Sequence, residues 1–159
     1  MTLPGFRRGF ELALEWIVIV LMVALAVEVT AGVIFRYSGY SLVWYDEVAT
    51  ILLAWVTYYG AALAALKRAH IGVPELIQKL PPALRVKATL FAEFWVFAFF
   101  AILAWVGYSI LDILATDSLV TLPGVSVAWA QSVIPVSSVL FIIAEALALP
   151  ETLREARGP

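Results

Sequence analysis

Four long apolar runs divide the chain, at residues 12–35, 44–66, 88–111 and 127–149, and charged, glycine or proline positions separate them. A hydrocarbon core of about 30 Å takes roughly 20 apolar residues in a helix, so each run is long enough to span a bilayer. The first run is longer than a signal-peptide apolar core of about 7–15 residues, so it is expected to be a retained span, although Val29-Thr30-Ala31 would pass as a cleavage site. Arg7 and Arg8 ahead of it are read as a cytoplasmic anchor rather than a twin-arginine signal. The second run begins on Trp44-Tyr45 and stops at Lys67-Arg68. In the third, Phe91, Phe94, Trp95, Phe97, Phe99, Phe100, Trp105 and Tyr108 point in all directions, as on a helix facing lipid and neighbouring helices. The fourth holds Pro135, which predicts a local kink with Ser132, Ser137 and Ser138 at hand for the freed carbonyl.

Between the second and third runs, apolar groups at Val73, Leu76, Ile77 and Leu80 follow helical spacing. With Pro74 in a first turn and Pro81-Pro82 closing the segment, 73–82 is expected to be a short amphipathic helix in the membrane interface, an irregular loop being the alternative. The connections at 36–43 and 112–126 contain Gly39, Pro123 and Gly124 and read as turns.

Composition agrees with the pattern. Of 159 residues, 64% are hydrophobic and 14% charged, and the mean hydropathy is +0.98. Four spans and their connections use nearly the whole chain, so a single membrane domain over 1–159 is expected, with no soluble domain. A net charge of -2 offers no basic field for nucleic acid. The Lys and Arg positions matter more than their sum. Arg7, Arg8, Lys67, Arg68, Lys79, Arg85, Lys87, Arg154 and Arg157 fall on one side of the alternating spans, and Arg36 alone on the other. This asymmetry predicts that both termini and the 67–87 connection are cytoplasmic. The fold class is therefore all-α integral membrane, four transmembrane helices, N-in and C-in.

Cysteine is absent and His70 is the single histidine, which excludes disulfides, iron–sulfur clusters and a bis-His haem. A polar anchor at the inner surface is the expected role of His70, since no second His or Cys completes a metal site. Ionisable groups within the runs are Glu28, Glu93 and Glu145. At 1.5 Å per residue Glu28 lies roughly 10 Å below the outer end of its helix, and Glu93 a similar depth above the inner end. With Glu28 in the outer half and the other two in the inner half, no relay path is evident, and helix–helix or subunit contacts are expected. At the outer turn Arg36 is expected either to pair with Asp46 or Glu47, fixing the ends of the first two helices, or to be hydrated like them. In the second run Gly60/Ala64 and Ala61/Ala65 suit close helix approach. Nucleotide-binding and hydrolase motifs and inverted repeats are lacking, so the chain is expected to be no enzyme, to need no cofactor, and to serve a larger membrane partner.

An ordered series of residues resembles a known family. Phe35-Arg36-Tyr37 ends the first run, Trp44-x-x-Glu47 opens the second, Trp55 and Gly60 lie within it, and Arg68-Ala69-His70-Ile71-Gly72-Val73 leaves it. Leu80-Pro81-Pro82 closes the cytoplasmic segment, and Gln131 with Ile134-Pro135 lies in the fourth. This series, over residues 12–148, resembles the small membrane subunit (DctQ-type) of tripartite ATP-independent periplasmic (TRAP) transporters. The resemblance implies a non-catalytic scaffold subunit of a sodium-driven importer of organic acids in a bacterial or archaeal inner membrane. Its partners would be a large, roughly twelve-span membrane subunit holding the substrate and sodium sites, a periplasmic substrate-binding protein, and lipid. Arg36, Tyr37, Trp44, Glu47, Trp55, Gly60, His70 and Pro135 would then be structural or partner-interface residues, and Glu28 and Glu93 buried ionisable groups without an assigned role. The alternatives are a self-sufficient small oligomeric channel or exporter, or the membrane anchor of a redox enzyme.

Overall fold

The computed structural model describes residues 3–69 and 80–157. They form α1 (Leu3–Tyr37), α2 (Tyr45–Leu66), α3 (Pro82–Leu114), α4 (Val127–Gln131) and α5 (Val133–Arg157). Four segments are long and apolar enough to cross a membrane: α1, α2, α3, and the α4–α5 pair taken together. Two helices outrun the hydrocarbon. At 1.5 Å per residue α1 and α3 are each about 50 Å long, so roughly 20 Å of each lies beyond a 30 Å core.

Helix ends follow local chemistry. Gly39 takes a positive φ of 84° and closes a Schellman turn on α1, with Tyr40 N donating to Phe35 O at 3.0 Å and Gly39 N to Arg36 O at 3.3 Å. Asp46 and Glu47 occupy the first turn of α2, where the helix dipole favours acid. The same turn type ends α2, but Arg68 holds the left-handed position at φ 55°, with Ala69 N bonded to Ala64 O at 2.8 Å and Arg68 N to Ala65 O at 3.0 Å. Pro81 caps α3 and Pro82 starts it, a placement that loses no helical hydrogen bond. Ser126 caps α4, its hydroxyl accepting from Ala128 N at 3.1 Å.

The amphipathic segment expected at 73–82 and His70 lie outside the described residues, apart from Leu80 in a bend, Pro81 and Pro82. The fourth run is interrupted at one residue, in the turn before the proline. The helix breaks at Ser132, three residues before Pro135, whose ring has no N–H to give and crowds the preceding turn. Ser138 Oγ donates to Ile134 O at 2.7 Å and Ser137 Oγ at 3.2 Å, while Ser132 Oγ turns to Trp129 O at 2.7 Å. Pro150 does not end α5, which runs on to Arg157.

Packing gives the lateral order α1, α2, α5, α3, with α2 and α5 in the middle. The most buried cluster joins Leu14 of α1, Ala62, Ala65 and Leu66 of α2, and Phe141 and Ala144 of α5. Small side chains at these positions let the central helices approach closely. The flanks stay open. On α1, Trp16, Val20, Val23, Val27 and Ile34 are exposed, and on α3, Phe91, Trp95, Phe99, Ile102 and Trp105. Apolar faces of that size fit hydrocarbon or another membrane subunit.

The expected close approach at Gly60 is not made: a Cβ there would meet no atom within 4 Å. It occurs at two other glycines. The Tyr45 ring fills the place where a Gly32 side chain would begin, and a Cβ on Gly107 would stand 3.0 Å from Ile134 Cγ2 and 3.1 Å from Pro135 Cδ.

Candidate functional site at the helix ends

Polar chemistry gathers at the two ends of the bundle. At the end holding both termini, two pairs of acids four residues apart, Glu11/Glu15 on α1 and Glu151/Glu155 on α5, receive cations from neighbouring elements. Side chains at that spacing share one helix face. Arg7 of α1 holds Glu151 with both terminal nitrogens, the longer bond 3.1 Å. Lys67, just past α2, pairs with Glu15 and lies 3.6 Å from Glu11. Arg68 forks onto Glu155, at 2.5 and 2.6 Å. Every one of these links joins residues at least 52 positions apart in sequence. The hydrogen bond to Glu15 holds the Lys67 ammonium above the ordinary lysine range, and the Glu155 bond does the same for the Arg68 guanidinium.

The opposite end is tied by Glu47. Its carboxylate accepts from Val120 N at 3.0 Å, from Thr121 N at 2.8 Å and from the Thr121 hydroxyl, so the start of α2 anchors the loop between α3 and α4. That loop is ordered by its own bonds, with Leu119 N to Val125 O at 2.9 Å and Val127 N to Asp117 O at 3.0 Å. The Arg36 pairing expected with Glu47 is therefore replaced by a loop clamp, and Arg36 forms no ion pair among the described residues. A carboxylate satisfied by two backbone N–H groups and a hydroxyl gains little from a mobile surface arginine. Tyr37 is 90% exposed. Trp44 is the residue before α2, with helical backbone and no side-chain cap.

Trp55 bridges α2 and α4. Its indole Nε1 donates to Ala130 O at 2.9 Å, and its ring packs on Trp129 with centroids 4.9 Å apart. This bond falls two residues before the break at Ser132, where helical hydrogen bonding is disturbed by Pro135. Pro135 itself is buried against Gly107.

The buried acids differ in their surroundings. Glu28 Oε1 is buried with no hydrogen-bond partner in the described chain. Glu93 and Glu145, one on α3 and one on α5, lie close enough to interact across the α3–α5 interface. The sequence places both in the same half of the bilayer but gives no sign that they touch. The acids at 11, 15, 151 and 155 are also absent from the candidates read from sequence. Their spacing opposite cationic helix ends was the available signal, and a count of cations alone passes over it.

A multi-pass helical membrane protein with its polar groups tied at both ends is thus defined. Residues 25–155 match the family described as tripartite ATP-independent periplasmic transporters, DctQ component, and the chain belongs to that family. It is 28% identical over 144 residues to the sialic acid TRAP transporter small permease protein SiaQ of Vibrio cholerae, an alignment covering 89% of this chain and 82% of that protein. It is 34% identical over 73 residues to a TRAP transporter small permease protein of Haemophilus influenzae, and there spans 44% of either chain. The chain is accordingly a small permease component of a transporter of this kind.

Proposed function

We propose that this chain is the non-catalytic scaffold subunit of a sodium-driven TRAP importer for an organic acid, fixed beside the large membrane subunit in the bacterial or archaeal inner membrane. The family match over residues 25–155 carries the reading. The relative named for sialic acid supports a carboxylate-bearing cargo, because sialic acid is itself an organic acid. Selectivity would lie in the large subunit and the periplasmic binding protein, so the particular acid is a property of those partners.

Internal bonding supports a static role. The ion pairs of Arg7, Lys67 and Arg68 and the Glu47 clamp tie helix ends to one another, which suits a wall rather than a moving carrier. Cations clustered beside the terminal end orient it toward the cytoplasm, and the segment at 73–82 would lie along that membrane surface. The Glu47 clamp and its loop then face the periplasm, with Arg36, Tyr37 and Trp44 around them, where a binding protein docks. The apolar flanks of α1 and α3 meet the large subunit and lipid.

Solubilisation of native membranes should recover the chain with a much larger membrane protein, and its deletion should abolish uptake. Recovery only as a free monomer, with uptake surviving the deletion, overturns the proposal.

A further inference from the structure

The seam between α3 and α5 repeats every seven residues on α3. Gly107 meets Ile134 and Pro135, Phe100 stacks on Phe141 with ring centroids 3.7 Å apart, and Glu93 meets Glu145. Val96 also packs toward the core between the last two. Such spacing is that of a left-handed helix pair, in which seam positions are apolar and one polar seam residue fixes the register. Glu93 is the polar one.

Depth makes that contact unusual. Glu93 is about 16 Å along α3 from Pro82 at 1.5 Å per residue. If α3 overhangs a 30 Å core by roughly 10 Å at each end, the carboxyl lies several ångström inside the hydrocarbon. Two ionised carboxylates cannot hydrogen-bond, because each oxygen only accepts. Glu93 Oε2 is buried, and no donor of the described chain reaches it. Arg68, past the end of α2, attracts both carboxyls but forks onto Glu155, with Glu151 also acting on it. On α3 itself, Arg85 Nε donates to Leu80 O at 2.7 Å. The donor that the Glu93–Glu145 contact requires is a proton.

We infer that Glu93 and Glu145 form a single-proton site inside the membrane, in which one shared hydrogen locks the register of α3 against α5. α3 meets the bundle chiefly through α5, so this bond is the polar fastening of an otherwise apolar seam. Like charges brought together there would repel in a medium of low dielectric, and the proton removes that repulsion. The site concerns this chain alone and does not rest on its place in a transporter.

The test uses the purified full chain in lipid nanodiscs. At neutral pH its infrared spectrum should contain a protonated-carboxyl band that shifts in D2O, and the double variant Glu93→Gln/Glu145→Gln should lose the intensity of one group. Glu28→Gln serves as the control for the third membrane carboxyl. An unchanged carboxyl band in the double variant overturns the inference. Thermal unfolding gives a second readout. The wild-type midpoint should fall as pH rises toward, but not into, the lysine range, whereas Glu93→Gln should hold its midpoint because an amide supplies the hydrogen without a titrating proton. Parallel pH slopes in the two proteins overturn the inference. Should Glu93→Gln fail to fold, Glu145→Gln offers the same amide from the other helix and the same comparison.

Discussion

Arg68 carries two opposed effects that substitution can separate. Its backbone sits in the left-handed region at φ 55°, and its guanidinium forks onto Glu155 across to the end of α5. A left-handed conformation costs a side-chain-bearing residue about 1–2 kcal/mol. Glycine escapes that cost, but its freer unfolded chain returns about 0.4–1 kcal/mol of the gain. The Glu155 side chain is 68% exposed, so the ion pair contributes only about 0.2–1 kcal/mol, screened by solvent. Arg68→Ala loses the pair and keeps the strain, a net loss of about 0.2–1 kcal/mol. Arg68→Gly loses the pair and sheds the strain, so it should be more stable than Arg68→Ala by about 0.5–1 kcal/mol. In a chain of this length each kcal/mol moves the midpoint by roughly 2–4 °C. Unfolding midpoints of the three proteins, taken at one scan rate in one detergent, should therefore place Gly above Ala by about 1–4 °C, with wild type above Ala. Arg68→Ala equal to or above Arg68→Gly would refute the assignment of strain, and raised salt that left the gap between wild type and Ala unchanged would refute the share given to the pair.

Four further outcomes follow from the close contacts. Trp55→Phe removes the donor to the part-buried Ala130 O and should lower stability by about 1–3 kcal/mol, read as a fall in unfolding midpoint. Gly107→Leu must displace the rigid Pro135 ring and should lose about 1–3 kcal/mol, while Gly107→Ala should fall within about 1 kcal/mol of wild type because helix propensity offsets the tighter contact. Gly32→Ala should destabilise by driving out the Tyr45 ring, and adding Tyr45→Ala should recover part of the loss, a non-additivity that a double-mutant cycle measures. Glu47→Ala should leave the bundle intact but raise amide hydrogen exchange at Val120 and Thr121, where the carboxylate now accepts.

Hydropathy alone reaches the number and order of the spans, because a bilayer demands length and apolarity of every spanning helix and chain segments of that kind are easily told apart. The lateral order of α1, α2, α5 and α3 leaves no comparable trace. In water a buried face is apolar and an exposed one polar, but an outward-facing position of a spanning helix such as Ile102 is as apolar as the buried Leu66. Without that contrast, small-residue spacing was the remaining guide to close approach: of its two pairs, Ala61/Ala65 packs into the core while Gly60 meets nothing, and the other close contacts form at Gly32 and Gly107. Alanine and glycine are frequent enough here for spaced pairs to arise without contact. The Pro135 interruption was legible because proline acts on its own helix. Pairings between distant elements, such as Glu47 with Thr121 or Glu93 with Glu145, were not, since they depend on which helices become neighbours.

The two flanking helices are held by different physics. α1 is fastened at one end by ion pairs to α5 and to the residues following α2, and at the other by the Tyr45 ring seated on Gly32. Those ion pairs lie near solvent, where salt weakens them and exchange is rapid. α3 is fastened along its length by the Gly107, Phe100 and Glu93 contacts with α5, two apolar and one polar. A sideways load on α1 is therefore resisted chiefly at its ends, whereas a load on α3 works against a continuous interlocked seam. Sliding α3 by one turn would bring Phe100 and Gly107 out of register together and strand two carboxyls in hydrocarbon. The seam thus resists shear more strongly than the α1–α2 pair does.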